Sequence, residues 1–267
     1  MPPVVFHAIV LRSHEAGSTS LVIHTLSAEF GKLSLYGKGL QSTRSSLRGV
    51  LQPLSLVEVT VALKEGAEMG TLRDAVLIED RHELTNDLER LALAMLLVEA
   101  TADACEVAQP APDLFATLLH GLHELDPRSG MPAPLAAMRG LYRVVHVAGY
   151  EPQIEEELLT GWPKGEAKPE VFWLDLEQGV VHARLRQPGG EVAWPMVPPP
   201  DATQFPIPPR AVRFLYEGQR GEPVVKLTHD ESRQLLEALL RLAEWHHGGQ
   251  LQSARFWREI DGRAAVG

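Results

Sequence analysis

The segment LSLVEVTVAL, residues 54–63, alternates apolar and other side chains, and this pattern is the clearest indication of the fold. One set of alternate positions holds Val57, Val59, Val61 and Leu63, and the other holds Glu58, Thr60 and Ala62. Because successive side chains of a β-strand point to opposite faces, the pattern predicts a strand with one buried face.

Four other segments of residues 1–80 have strand-like patterns, and Gly, Ser and polar turn residues separate them. They are FHAIVLRS (6–13), SLVIHTLS (20–27), KLSLYGKG (32–39) and GTLRDAVLIED (70–80). Five short strands within 80 residues predict a small β-barrel.

After residue 80 the apolar residues recur at intervals of three and four, which is typical of helices. This spacing is found in residues 86–106, 112–125 and 133–149, with Asn86 or Asp87 as the expected N-cap of the first. The sequence THDE, residues 228–231, predicts a capping box at the start of a further helix.

The predicted fold class is therefore α+β, with three domains. Residues 1–80 form the barrel domain, and residues 81–149 together with 207–267 form an α-helical bundle domain. Residues 150–206 are rich in Pro and Gly, contain the hairpin-like stretch VFWLDLEQGVVHARL, and are interpreted as an irregular insertion.

The composition limits the classes of function that the protein can have and indicates its cellular compartment. The formal net charge of -10 disfavours adhesion of the whole molecule to nucleic acid or anionic membranes, so any polyanion site must be local. Cys105 is the only cysteine, which excludes an internal disulfide and favours a reducing compartment. No apolar run reaches membrane-spanning length and no signal peptide is evident, so we expect a cytoplasmic protein.

Four cations occur between Phe30 and Val57 without one carboxylate: Lys32, Lys38, Arg44 and Arg48. On a strand, Lys32 and Lys38 project to the same side as Tyr36, which can stack on a base of any identity. Glycines and serines would let the loop that carries Arg44 and Arg48 approach a backbone closely. We assign these residues and Arg12, on the first strand, to a DNA-binding surface. The alternative is an exposed loop with scattered charges.

The sequence resembles the RecO recombination mediators. The resemblance runs through residues 8–53, where an EFGK turn, a YGKG strand end and a Ser/Arg loop lead into LQP. It continues through GYEP at residues 149–152 and LTHDESRQLLEALLRLAEWHHGGQLQSARFWREI at residues 227–260, and it covers nearly the whole chain.

The resemblance implies an OB-fold barrel followed by a helical domain, and a non-enzymatic role without a cofactor. That role is to bind single- and double-stranded DNA, to anneal complementary strands, and with RecR to help load the recombinase RecA onto DNA covered by single-strand-binding protein. It implies a cytoplasmic, nucleoid-associated protein.

Many members of this family carry a four-cysteine zinc site after the motif that corresponds to GYEP. In this chain the four positions are Glu157, Thr160, His182 and Leu185. Leucine cannot coordinate a metal and a threonine hydroxyl is a poor zinc ligand, so we expect a zinc-finger-like insertion without metal.

Two further basic clusters are candidate contact sites. Arg139 and Arg143 lie four residues apart on one helix face and are predicted to bind the acidic C-terminal tail of single-strand-binding protein; otherwise they are solvated surface residues. Arg255, Arg258 and Arg263 either form a second DNA contact or belong to an ordinary amphipathic helix.

A different class of function stays open. An OB-fold nucleic-acid-processing enzyme, such as a metal-dependent nuclease, would need catalytic residues in the insertion. The acidic run of Glu155, Glu156 and Glu157 cannot converge on one ion from regular structure, and a solvated charge run is the simpler interpretation. A purely structural interaction module would bind no nucleic acid.

Overall fold

The computed structural model describes residues 2–40, 47–156, 158, 171–184, 203–221 and 223–262. The chain divides into two compact units, Met1–Met131 and Pro132–Gly267. Arg44, Glu157, Thr160, Leu185 and Arg263 lie outside the described residues.

The first unit contains five strands and four helices in its described part. The strands are β1 (Val4–Ala16), β2 (Ser20–Ser27), β3 (Gly31–Gly37), β4 (Leu56–Ala62) and β5 (Met69–Glu79). The helices are α1 (Leu47–Val50), α2 (His82–Thr85), α3 (Leu88–Ala104) and α4 (Pro112–Leu125), and a 3-10 turn follows at Pro127–Ser129.

The five strands close into a barrel in the order β1-β2-β3-β5-β4. β1 pairs with both β2 and β4, and the pairing of β3 with β5 is parallel while the others are antiparallel. This is the five-stranded Greek-key barrel of the OB-fold, so the predicted fold class is confirmed.

The barrel core contains the apolar positions that the alternation predicted. Val57, Val59 and Val61 of β4 are fully buried, Leu63 packs partly against them, and Glu58 is exposed. Leu33 and Leu35 of β3 project into the same core. One face of each strand therefore packs inside the barrel, which leaves the other face for contacts outside it.

The second unit contains four helices and a small sheet in its described part. The helices are α5 (Ala133–Val147), α6 (Pro209–Gly218), α7 (His229–His247) and α8 (Gln252–Ile260). The strands are β6 (Val171–Asp175), β7 (Val180–Arg184) and β8 (Gln204–Ile207), in the antiparallel order β7-β6-β8.

Local signals in the sequence define several ends of these elements. The Asp87 side chain accepts a hydrogen bond from the Arg90 amide at the start of α3. Thr228 and Glu231 form the predicted capping box of α7. The predicted hairpin is present as β6 and β7.

Helices α3 and α4 belong to the same compact unit as the barrel, whereas the sequence grouped them with the later helices. Compactness alone does not fix domain limits, so the limits at residues 80, 149 and 206 stay predictions. In the described part of the chain, every helix falls short of the length or hydropathy needed to cross a membrane.

Candidate nucleic-acid interface

The outer surface of β3 carries the side chains that the alternation assigned to it. Lys32, Ser34 and Tyr36 are partly exposed, while the intervening Leu33 and Leu35 are 2% and 0% exposed. A cation, a hydroxyl and an aromatic ring therefore lie side by side on the outside of the barrel.

Neighbouring side chains hold the Tyr36 ring in place. Its hydroxyl donates a hydrogen bond to Ser20 Oγ on β2 at 3.0 Å. In the strand register Tyr36 lies opposite Val22 of β2 and beside Thr71 of β5. With its hydroxyl fixed, the ring presents an oriented surface to a ligand.

The position of Lys32 is fixed through its backbone. Its amide donates to the Glu106 carbonyl at 3.4 Å, and its carbonyl accepts from the Ala108 amide at 2.9 Å. The segment after α3 thus pairs with the edge of β3 where β5 does not reach. The ammonium group of Lys32 is carried on a rigid strand.

Arg12 lies on the same outer surface as the β3 residues. A β-bulge between Val10 and Arg12 shifts the register of β1, so that Arg12 pairs with His24 and His14 pairs with Val22. Paired residues of antiparallel strands point to the same side. His24 in turn pairs with Ser34, so Arg12, His24 and Ser34 form a row across three strands.

Two histidines complete this surface. The rings of His14 and His24 stack with centroids 5.2 Å apart, and His24 Nδ1 lies 3.1 Å from Ser34 Oγ. Burial of the ring, together with the positive charges of Arg12 and His14, lowers the pKa of His24. We name this set, Arg12, His14, His24, Lys32, Ser34 and Tyr36, the β1–β2–β3 face.

Sequence reasoning missed His14 and His24. The signal was present, since His14 stands two positions after Arg12, and His24 has the parity of Ser20 and Val22. The pairing that unites them depends on the bulge, which the sequence did not reveal. Within β1, β2 and β3, whose residues are all described, Glu15 is the single carboxylate.

Lys38 and Arg48, which were also predicted to bind DNA, lie outside the regular strands. Lys38 is exposed in the turn after β3, so its placement on the strand was wrong: β3 ends at Gly37. Arg48 is exposed on the short helix α1. Arg44 lies outside the described residues.

Arg139 and Arg143 line a second candidate site, in the Pro132–Gly267 unit. They border a cavity of about 140 Å³ together with Tyr142, His146, Phe214, Gly218, Gly221 and Pro223. Both arginines are partly buried on α5, so the predicted pair does lie at a concave surface. We name this cavity the α5–α6 pocket.

One wall of the α5–α6 pocket is a hydrogen-bonded aromatic cluster. The Tyr142 hydroxyl donates to Glu151 Oε2 at 3.3 Å, and His146 Nδ1 lies 2.7 Å from the same oxygen. Burial and the Glu151 carboxylate raise the pKa of Tyr142 well above its usual range. Phe214 packs edge-on against Tyr142 with centroids 6.3 Å apart.

Arg255 and Arg258 of the C-terminal basic cluster do not form one shared DNA contact. Arg258 is 7% exposed and binds the carboxylates of Glu237 and Glu244, and Arg255 pairs with Glu259. The alternative of an amphipathic helix is therefore the better description of α8.

Of the four positions that correspond to the family's zinc ligands, His182 alone is described. It is exposed on β7, opposite Trp173 of β6. In the described ranges, no three His, Cys, Asp or Glu side chains are grouped as a metal would require. The donor types at the four positions do not fit tetrahedral zinc, and the absence of metal stays a prediction.

Comparison with known proteins places both parts of the chain in one family. Residues 1–81 match the family model described as recombination protein O N terminal, and residues 85–255 match recombination protein O C terminal.

Individual relatives agree with the family models. A DNA repair protein RecO from Anaeromyxobacter sp. (strain K) is 27% identical over 260 residues, 97% of this chain and 98% of the relative. That of Anaeromyxobacter dehalogenans (strain 2CP-C) is 28% identical over 264 residues, with the same coverage of both chains. That of Salinibacter ruber is 30% identical over 119 residues, 45% of this chain and 46% of the relative. The chain therefore belongs to the family of recombination protein O, RecO.

Proposed function

We propose that this protein is a non-enzymatic DNA-binding mediator of DNA repair and recombination, and that its nucleic-acid surface consists of the β1–β2–β3 face together with Lys38, Arg44 and Arg48. The observation that carries the proposal is the presence of Arg12 on β1 and of Lys32 and an oriented Tyr36 on β3 of an OB-fold barrel, because this fold binds oligonucleotides on its second and third strands. Family membership supports the role in repair and recombination.

The chemistry of the proposed nucleic-acid surface suits binding without regard to base sequence. Lys32, Lys38, Arg12 and Arg48 can neutralise phosphates and release counterions, and this attraction does not depend on the bases. The exposed part of the Tyr36 ring can stack on a base, worth about 1–3 kcal/mol. The net charge of -10 makes the rest of the molecule a poor alternative site.

The finer role is also proposed by analogy with the family. The protein binds single- and double-stranded DNA, anneals complementary strands, and with RecR assists RecA to assemble on DNA that single-strand-binding protein covers. These steps need binding and positioning alone, so the chain's own residues hold phosphates, orient bases and dock partners. Incubation of labelled single strand with magnesium or zinc tests the competing nuclease: strand cleavage would favour it.

The test of the DNA surface is the salt dependence of binding. Replacing Lys38, Arg44 and Arg48 together with alanine should weaken binding to unrelated oligonucleotides about equally. The slope of log affinity against log salt should fall by about 0.7–0.9 for each lost phosphate contact.

The matched control removes three exposed cations from the other compact unit: Arg213, Lys226 and Arg255. This control has the same change in net charge and should bind nearly as the unmodified protein does. Equal affinity and slope for both triple variants would refute the proposed surface.

We further propose that the α5–α6 pocket binds the acidic tail of single-strand-binding protein. Arg139 and Arg143 can hold carboxylates through charge-assisted hydrogen bonds, and Tyr142 with Phe214 offers an apolar wall for an aromatic ring of the tail. Gly218 keeps this wall close, because a Cβ there would lie 3.0 Å from the Tyr142 ring.

Charge reversal tests this pocket. Arg139→Glu combined with Arg143→Glu should weaken binding of a tail peptide at least about tenfold, since each charge-assisted contact is worth more than about 1.4 kcal/mol. Arg73→Glu combined with Arg255→Glu is the control, because Arg73 is exposed on β5 and Arg255 is exposed on α8, away from the two helices that line the pocket. Unchanged peptide affinity in a folded Arg139/Arg143 variant would place the tail elsewhere.

A further inference from the structure

The proposed DNA surface contains two imidazoles beside an arginine, an arrangement that ordinary phosphate binding does not require. His14 is exposed, His24 is half-buried, and their rings stack 5.2 Å apart. Arg12 lies opposite His24 in the β1–β2 register. The Ser34 hydroxyl lies on the other side of His24 and is 3.1 Å from its Nδ1. The Nε2 atom of His24 is thereby left for a ligand.

We propose that Arg12, His14 and His24 form a phosphodiester-binding site whose imidazoles take up protons from solvent when nucleic acid binds. This inference rests on the proposed function, since it assigns a specific site and a pH response to the β1–β2–β3 face. The ligand class is the phosphodiester backbone, and the base identity plays no part.

Burial and the neighbouring cations favour the neutral form of His24 before binding. The ionisable groups on the adjacent strands are Arg12, His14 and Glu15 of β1 and Lys32 and Tyr36 of β3. Beyond β3, Glu68 contributes its carbonyl, which accepts from the Ser34 amide, and Met69 and Thr71 of β5 are uncharged. Burial and the cations Arg12 and His14 lower the pKa of His24 from 6.5.

A phosphate bound among these groups has the opposite effect and favours the protonated form of His24. Its negative charge offsets Arg12 and stabilises a protonated imidazole, so the pKa of His24 is higher in the complex than in the free protein. Stabilisation of the complex is then fully present below the free-state pKa and is lost as pH rises through the bound-state pKa. Because the free-state pKa of His24 lies below 6.5, affinity should increase as pH falls from 8 to 5.5.

The test is equilibrium binding of a labelled oligothymidine at constant ionic strength across this pH range. Neither thymine nor a phosphodiester titrates in this range, so a pH response must come from the protein. We expect binding at least about fivefold tighter at pH 5.5 than at pH 8, since each proton taken up contributes up to tenfold per pH unit. The salt slope should be steeper at low pH, because more positive charge then faces the DNA.

Three variants identify the histidines that cause the pH dependence of binding. His14→Gln and the double variant His14→Gln, His24→Gln should flatten the pH profile, the double variant most. His7→Gln is the matched control: His7 is also exposed on β1 but lies 3.5 Å from Glu58 on a different part of the barrel, and its variant should keep the full pH response. The exposed His14 single variant keeps the test valid if the double variant does not fold.

A pH profile that is flat in the unmodified protein, or unchanged in the His14 and His24 variants, would overturn the inference. The proposed DNA surface would survive that result if the alanine variant at Lys38, Arg44 and Arg48 still lost affinity. No binding at any pH would overturn both.

Discussion

Gly31 lies where the start of β3 packs against the segment that follows α3. Its φ of +55° lies in the left-handed region, which other residues rarely adopt. A Cβ at this position would overlap the Gln109 carbonyl oxygen and approach the Glu106 carbonyl at 3.1 Å. Gly31 therefore allows the backbone of residues 106–109 to lie against the start of β3, next to Lys32.

Gly31→Ala should lower the free energy of unfolding by at least about 3 kcal/mol, because backbone strain of about 1–2 kcal/mol adds to a steric clash with main chain. The control is Gly39→Ala, at φ +76° with open space around the added carbon, where strain alone should cost about 1 kcal/mol. Urea denaturation of both variants measures the difference. Equal losses would mean that residues 106–109 move away at little cost.

The residues of the candidate site differ in how far sequence could predict them. Lys32 and Tyr36 followed from strand alternation, because side-chain direction on a strand depends on position alone. His14 and His24 did not, because their meeting depends on the pairing register and on the bulge after Val10. Lys38 was misplaced because β3 ends at Gly37, one residue before it, and Lys38 lies in the turn that follows.

Helix α8 packs against α7 through a buried cluster of ion pairs. Arg258 donates to both oxygens of Glu244 at 3.0 and 2.9 Å and to Glu237 at 3.0 Å. Glu244 also accepts from the Leu251 amide at 3.2 Å, which fixes the start of α8. The sequence showed an arginine-rich amphipathic helix, but helical periodicity gave no means to tell a buried arginine from an exposed one.

Arg258→Ala should destabilise the protein by about 3–5 kcal/mol, because it leaves two buried carboxylates without their counter-charge. Arg255→Ala, three residues earlier on α8, removes an exposed pair with Glu259 and should cost at most about 1 kcal/mol. Chemical denaturation followed by circular dichroism compares the two. Similar midpoints for both variants would show that the cluster contributes no more than a surface pair.

Across the chain, the five barrel strands, the β6–β7 hairpin and the positions of most described helices followed from local patterns, but β8 did not. Closure of the barrel in the order β1-β2-β3-β5-β4 did not, because it depends on non-local pairing, including the parallel contact of β3 with β5. The grouping of α3 and α4 with the barrel likewise depends on tertiary packing. The resemblance to RecO supplied the OB-fold, which the alternation by itself could not distinguish from other small barrels.

Photocrosslinking can show whether nucleic acid lies on the β1–β2–β3 face. An oligothymidine in which iodouracil replaces some of the thymines would be bound to the protein and irradiated, and after digestion the crosslinked peptides would be identified by mass spectrometry. We expect crosslinks in peptides from residues 12–38, with Tyr36 prominent, and their loss at high salt. Crosslinks confined to residues 132–267 would show that nucleic acid binds elsewhere.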